Sequence, residues 1–516
     1  MTAPDEPSDD RDGPAPDRRS VLAGGTAGFL KMLAPEATGD RPARTDGGAS
    51  STAAPATTDV EPAPAGAESV VDHGATLDGQ TDDTAALRAA FEAAGGEGAV
   101  VVPPGGELRV TEPVVFDLGG ASGFQLRCRS PIAPDAGVGD ALTIQKGQPR
   151  RVDFWVRGGG RDADYTRPDP DGADQALVLR LVRGGRYRIL GGGYGGRILR
   201  VVDRDDNDAY KTSKLRIEEL ATRWYDGDFC GQSFYVDGKS AIGKLGLVHD
   251  FWSAYGPVVD GGYDFGIGHI AGGWQNTGLS LRNTGNLTIG TFAVGDESHS
   301  VALLSLSDCR GIHVKRAFCL RARTGVSVTG SANVSIGDLY TVANEGAGLA
   351  VRDTERLRVA HTSSRDTVAE RHEGAEQVSV DLFTAYADDA EAALDVTDST
   401  DLTVRGSVEQ GIAVDGASDA VHLDGVRAPL VSVPADNDVR VEGGDVGYFE
   451  GTPRKRNGLG REESAAETPT ADDWQVGDVV QFVDTGDGSG DGLYLRVHDG
   501  WERLDGRVQR IPFWPP

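Results

Sequence analysis

Trp224, Trp252 and Trp274 recur at nearly even intervals, each with acids close by. Around them stand Tyr225, Asp226, Asp228, Phe229, His249, Asp250, Phe251, Tyr255 and Asn276, and further on Asp296, Glu297 and His299, then Arg321 and Arg323. Flat aromatic faces beside carboxylates and amides suit a sugar chain, which needs stacking surfaces and hydrogen-bond partners together. Trp224, Tyr225, Trp252, Tyr255, Trp274, Asn276 and Glu297 are the candidate substrate-binding residues. Asp226, Asp250 and Asp296 are candidate catalytic acids. Two carboxyls ~6.5–9.5 Å apart serve an inverting hydrolysis, and a pair at ~5–5.5 Å a retaining one. A lyase needs a base beside a charge-neutralising cation, and His249 and His299 are the nearest candidates. The competing reading is that the tryptophans cover the core where loops fold back. Both stay open.

The elements that must position these residues are short strands. Apolar-polar-apolar strings recur in two kinds: Leu279-Ser280-Leu281, Val326-Ser327-Val328 and Leu394-Asp395-Val396 belong to the first, and Leu287-Thr288-Ile289, Val334-Ser335-Ile336 and Leu402-Thr403-Val404 to the second. Alternation with period two is the strand signal. From Leu281 to Ile289, Val328 to Ile336, Val351 to Val359, Val396 to Val404 and Val433 to Val441 is eight residues every time, and the pair returns after 18 to 27 residues. No helix-length segment joins the strands, so βαβ units are excluded. Such a period suits one turn of a solenoid whose coils stack their inward side chains, and connections between parallel strands are right-handed. The expectation is an all-β chain, a right-handed parallel β-helix with about eleven coils in its clear part. Stacked coils lie ~4.8 Å apart, so the tryptophans, on three consecutive coils, would form one patch along its side. Glu370 and His372 fall where apolar residues belong, as does Lys244 on the second ladder. A local register slip or bulge is the preferred explanation, with a buried functional pair as the alternative.

Ahead of the coils, Val70-Val71-Asp72-His73-Gly74-Ala75-Thr76-Leu77-Asp78-Gly79-Gln80-Thr81-Asp82-Asp83-Thr84 leads into an amphipathic helix with Leu87, Ala90, Phe91 and Ala94 on its apolar face. Asp78-Gly79 reads as a turn, the Asp82/Asp83 pair as the helix start and Gly95-Gly96 as its stop. A helix there would lie over the open end of the first coil. These residues, about 69–116, resemble the N-terminal motif of the pectate-lyase-like superfamily, which includes polygalacturonases, rhamnogalacturonases and phage tailspikes. The resemblance implies a right-handed β-helix that binds or acts on polysaccharide. The polygalacturonase catalytic motifs are not intact: Asn276-Thr277-Gly278 and Asn283-Thr284-Gly285 lack the acid, Gly268-His269-Ile270 has the wrong order, and His313-Val314-Lys315 replaces the basic motif. The hydrolase mechanism is therefore not carried over.

The chain carries a net charge of −29, from Asp+Glu 80 against Lys+Arg 51. That surface repels nucleic acid and anionic membranes, and its acidic, lysine-poor character resembles proteins of salt-loving archaea. Residues 1–66 are low-complexity. Within them Asp17-Arg18-Arg19-Ser20-Val21-Leu22 and a Gly-rich apolar run look like a twin-arginine export signal in 1–35, followed by a linker over 36–66. The solenoid would then occupy 67–448, a linker 449–470 and a small C-terminal β module 471–516. No run of eighteen apolar residues occurs, so membrane insertion is not expected. The four cysteines match no metal motif, and Asn286 and Asn333 read as turn residues rather than glycan acceptors. No cofactor is expected. Asp487, Ser489 and Asp491 mimic the start of a calcium loop, but His498 stands at position twelve, so weak Ca2+ binding is the minor alternative to a hairpin turn. Two function classes remain: a secreted polysaccharide lyase or glycoside hydrolase, and a non-catalytic surface, envelope or spike-like glycan-binding protein. The partner is a polysaccharide or glycan in either case, and an oligomer, a trimer included, stays open.

Overall fold

The computed structural model describes residues 64–159, 174–202, 212–223, 230–238, 243–295, 302–366, 368–385, 392–433, 437, 439–442 and 444–451, and the backbone of short strands between 455 and 504. The export signal, the linker after it and the candidate calcium loop lie outside these residues. No helix among the described residues is long and apolar enough to cross a membrane.

The solenoid expected from the spacing is what the chain forms: an all-β parallel β-helix, with about 13 turns where the strings alone showed eleven. Two ladders carry the register. The longer strands, among them Lys244–Tyr255, Tyr263–Thr277, Gly285–Gly295, Arg310–Leu320, Ala332–Val342 and Glu355–Arg365, stack in parallel. The shorter ones, among them Gln175–Val182, Arg197–Val202, Cys230–Asp237, Val258–Asp260, Leu279–Arg282 and Leu304–Ser307, form the other ladder. Leu279, Leu304, Val326 and Leu349 occupy one inward row, and Leu287, Ile312, Val334 and Leu357 another. All eight are buried. At ~1.5–3 kcal/mol for each such side chain, these rows are the main cohesive term.

The eight-residue spacing has a structural cause in the turn between the ladders. Asn283, Gly330, Asp353 and Asp398 have φ of 48° to 59°, and three residues later Asn286, Asn333, Arg356 and Asp401 have φ of 52° to 59°. Asn and Asp tolerate this left-handed conformation better than other side chains. Between the two kinks an inward hydroxyl closes the turn: Thr284, Ser331, Thr354 and Ser399 each donate to the carbonyl two residues back, at 2.9 Å. Ser331 and Ser399 also accept an amide from the preceding coil, at 3.1 and 3.2 Å. The sequon asparagines Asn286 and Asn333 thus stand at positive-φ turn positions.

The N-terminal helix, Thr84–Ala94, buries Ala86, Leu87 and Ala90. Phe91 stacks on Phe116 at 4.2 Å and meets Phe124 edge-on at 5.6 Å, closing the first coils with aromatic contacts. Asp82 caps the helix by accepting the Thr84 amide at 3.0 Å. Asp83 does not bond the helix amides; its carboxylate takes the Thr76 and Leu77 amides at 2.8 and 3.2 Å, tying the helix to the segment before it. Asp78 accepts the Gln80 and Thr81 amides, which lower its pKa to about 2.

Two sequence expectations are corrected here. Lys244 is exposed and Leu245 is the buried residue beside it, so no cation enters the second ladder. Glu370 and His372 are in register, not slipped: Glu370 pairs with Leu349 and Leu394, and His372 with Val351 and Val396. Beyond the solenoid, Val479–Phe482, Gly492–Val497 and Gly500–Leu504 form antiparallel pairs in a separate small sheet.

Candidate functional site

Alternation along Lys244–Tyr255 sends Val248 and Asp250 inward and His249 outward. Asp250 is 0% exposed. Four donors surround its carboxylate: Thr222 at 3.0 Å, Ser253 at 2.5 Å, the Trp274 indole at 2.8 Å and Ser233. Burial pushes its pKa up despite these bonds. Trp274, 1% exposed, packs against Phe292 at 6.2 Å. The expected groove ring and catalytic acid are therefore one polar knot inside the solenoid, and neither presents a surface to a sugar chain. Trp224, Tyr225, Asp226, Asp296, Glu297 and His299 lie outside the described residues, as do the side chains of Trp252 and Asn276. Tyr255 is half-buried and pairs with Gln232 on the shorter ladder.

That pairing leads to a cluster absent from the sequence reading. Phe234 and Val236 are core residues, so Tyr235 and Asp237 face outward. On the coil before, Arg197 stacks over the Tyr235 ring at 4.5 Å from its centre. Arg197 bonds Gln232 at 2.6 Å and Gln175 at 3.2 Å, the three being consecutive in one row. Arg200 reaches Asp237 at 3.2 Å. Asp237 pairs in turn with Asp260, and Asp260 with Arg282, so two carboxylates and a guanidinium stand on consecutive rungs. Asn283 donates to Asp260 at 3.0 Å, and Arg282 to Ser280 at 3.1 Å. Burial raises the Tyr235 pKa, with Asp237 and Asp260 adding to the shift and the arginines opposing it, so the phenol stays a neutral donor. Arg197, Gln175 and Gln232 share the inward parity of Leu199, Leu177 and Phe234 and are buried with the Tyr235 ring, whereas Asp237, Asp260 and Arg282 are half-exposed and Asn283 exposed. What reaches solvent is a pair of carboxylates with guanidinium and amide donors beside them, backed by the buried stack, an inventory for holding a polyhydroxylated ligand.

The sequence contains a signal for this cluster. Arg200, Tyr235 and Asp237 interrupt apolar strings at the outward positions of two strands, but outward positions carry no expected residue type, and the coil of Arg200, before Lys214, has no regular spacing against which to recognise them.

Three other places gather polar groups. A cavity of ≈ 270 Å³ near the N-terminal coils is lined by Glu107, Arg109, Asp135 and Arg157. Its charges are already matched, Arg157 to Glu107 at 2.7 Å and Arg109 to Asp135 at 2.7 Å. Deeper in, Asn344 and Asp366 share a backbone and a side-chain hydrogen bond, at 2.7 and 2.9 Å. The buried Glu370 accepts from Thr362 at 2.5 Å and contacts His372 at 2.9 Å. Among the described residues no group of three or more His, Cys, Asp or Glu side chains gathers as a metal site would.

No family model matches the chain, and no curated protein matches it. Similar solved structures include tailspike protein 2 of the Escherichia coli O157:H7 bacteriophage CAB120, 11% identical over 65% of this chain with a TM-score of 0.42. The chain spans 46% of that tailspike's length. An endo-xylogalacturonan hydrolase from Aspergillus tubingensis is 13% identical over 75% of this chain and 97% of its own, with a TM-score of 0.25. A surface adhesin of Streptococcus pneumoniae is 11% identical over 85% of this chain and 99% of its own, also at 0.25.

Proposed function

We propose that the protein is a saccharide-binding β-helix of the pectate-lyase-like kind, working outside the cell, whose site is the outward face of the shorter ladder around Tyr235. The observation that carries this reading is the outward array of Tyr235 and Asp237 on one rung, Asp260 on the next and Arg282 on the one after, with Arg200 paired to Asp237. A solenoid needs aliphatic residues inward and tolerates almost anything outward, so these outward groups are free to serve a ligand. Their chemistry matches a sugar's hydroxyls, with directional donors and acceptors. Export is supported by the twin-arginine run at Arg18 and Arg19 and by the acidic, lysine-poor composition.

Glycosidic cleavage is the second reading, favoured by Asp237 and Asp260. Their backbones are neighbours in a parallel ladder, where strands are ~4.8 Å apart, nearer the separation of a retaining pair than of an inverting one. Arg200 contacts Asp237 at 3.2 Å, which suits Asp237 to the nucleophile's role and Asp260 to the acid's.

The test is a binding screen of neutral and uronic oligosaccharides, with product analysis on every binder. Arg282→Ala and Asp237→Asn should weaken binding by about tenfold, the loss of a hydrogen bond or two. Asp260→Asn should abolish any product while sparing binding. A chain that binds no saccharide sinks the proposal, and binding without product leaves the surface-protein form of it standing.

A further inference from the structure

The longer ladder has an outward face of its own, and its charges differ from those elsewhere on the chain. Val248, Ile270, Phe292 and Leu339 point into the core, so the residues flanking them face solvent. One outward row runs Glu219, Leu247, His269, Thr291, Arg316, Asp338 and His361. The row beside it includes His249, Phe318 and Tyr340. His249 and His269 sit 6.3 Å apart, ring centre to ring centre, with Phe251 also 6.3 Å from His249. Phe318 and Tyr340 stack at 4.9 Å.

Several arginines on outward faces are matched across rungs. Arg188 pairs with Glu219, Arg352 with Glu373, Arg358 with Asp381, Arg371 with Asp395 and Arg405 with Asp424. Arg316 is exposed and, among the described residues, makes no ion pair; its contact is with the Thr291 hydroxyl at 3.4 Å. The groups facing this spot from the neighbouring strands are Glu219, already held by Arg188, exposed Lys315, and Asp338, which lies 3.8 Å from His361. An unmatched cation and two adjacent imidazoles on a chain of net charge −29 are charge-complementary to a polyanion. Beyond a Debye length of ~8 Å at physiological salt the chain's overall repulsion is screened, while contacts within the strip are not.

We propose that this outward face binds a polyanionic glycan, whose acidic groups sit between Arg316 and the His249–His269 pair, with a proton taken up at that pair on binding. Phe318 shares the strand of Arg316 and its stacking partner Tyr340 lies one rung further along, where the flat face of the next sugar would rest. Burial, then His249 and then Arg316 lower the His269 pKa, so free His269 is poorly protonated near neutrality, and an anion placed beside its ring reverses that. This site is on a different ladder from Tyr235 and goes beyond that reading; either can fail without the other.

The experiment titrates the full chain with a polyuronate, a sulfated glucan, neutral dextran and an oligodeoxythymidylate, at about pH 5.5 and 8 in physiological salt. The expected result is binding of a charged glycan at least about tenfold tighter at the lower pH, with none of dextran. His249→Gln/His269→Gln should remove the pH dependence, and Arg316→Ala should weaken binding at both values while Arg316→Lys restores part of it. Melting temperatures check that the variants fold, and a variant that melts early is replaced by the single His269→Gln. Preference for sulfate over carboxylate identifies the acidic group. Affinity that is independent of pH, insensitive to these variants, or equal for the oligonucleotide overturns the proposal.

Discussion

Glu370 and His372 meet at 2.9 Å inside the solenoid, each 0% exposed, at two positions where the coils on either side place leucine and valine. An ion pair in an aliphatic stack attracts strongly but has lost its water, and the two effects nearly cancel. Breaking the pair leaves one buried polar group without its partner. Glu370→Leu alone and His372→Val alone should therefore each cost about 3–5 kcal/mol in denaturant unfolding. The double variant Glu370→Leu/His372→Val continues the rows of Leu349 and Val351 and should be near neutral or more stable than the parent. Additive losses in the double variant would show that the two residues do not act as a pair.

The register makes a second, simpler test. Val328 is fully buried and Ser327 beside it is half-exposed. Val328→Asp puts an unpaired carboxylate into the aliphatic row and should unfold the coils around it. Ser327→Asp should change the melting temperature little. Equal effects would contradict the alternation.

Asp250 and Trp274 are assigned to stability. Trp274→Ala should cost about 3–5 kcal/mol, because it opens a cavity and orphans a carboxylate, and saccharide binding by the protein that remains folded should be unchanged. Asp250 also sets a pH signature. Burial raises its folded pKa above the ordinary aspartate value, so the folded state binds its proton more tightly than the unfolded one. Its contribution is full below that value and declines as pH rises through the folded pKa. Asp250→Asn should abolish this decline, which chemical denaturation at a series of pH values would reveal.

Gly348 packs against the Asn344–Asp366 pair. A Cβ there would lie 2.4 Å from the Thr341 hydroxyl and 2.6 Å from an Asp366 oxygen. Gly348→Ala should cost roughly 1–3 kcal/mol by overpacking, whereas Gly346→Ala one residue pair earlier meets only a backbone carbonyl at 2.8 Å and should be milder. Thermal melts of the two variants side by side decide it.

The coils were legible because an inward row tolerates few residue types. Leu281 and Ile289, or Val396 and Val404, state their burial by their chemistry and their distance apart by the turn between them. Glu370 and His372 were misread for the same reason: polar identity at an apolar position looks like a slip unless the partner is known, and partnership is a three-dimensional fact. Trp274 was misjudged because an aromatic beside acids reads alike whether it lines a groove or shields a carboxylate. The Tyr235 cluster escaped notice because outward residues obey no pattern, and there the coils themselves are irregular. The helix at Thr84–Ala94 was found, yet Asp83 turned out to bind the chain before the helix rather than the helix itself.

The pairing of Thr324 with Ala347, and of Ala332 with Glu355, means that residues 324–346 begin and end at equivalent points of successive turns. Such a segment is a module of axial length. Duplicating it would add one rise of ~4.8 Å and a fresh pair of outward rows, without altering what lies above or below. Gly285 pairs likewise with Arg310, so a copy of residues 285–309 would fall between the Tyr235 cluster and the Phe318–Tyr340 stack. Their separation can therefore be stepped in single rungs, turning the chain into a ruler against which the repeat length of a bound polymer could be measured.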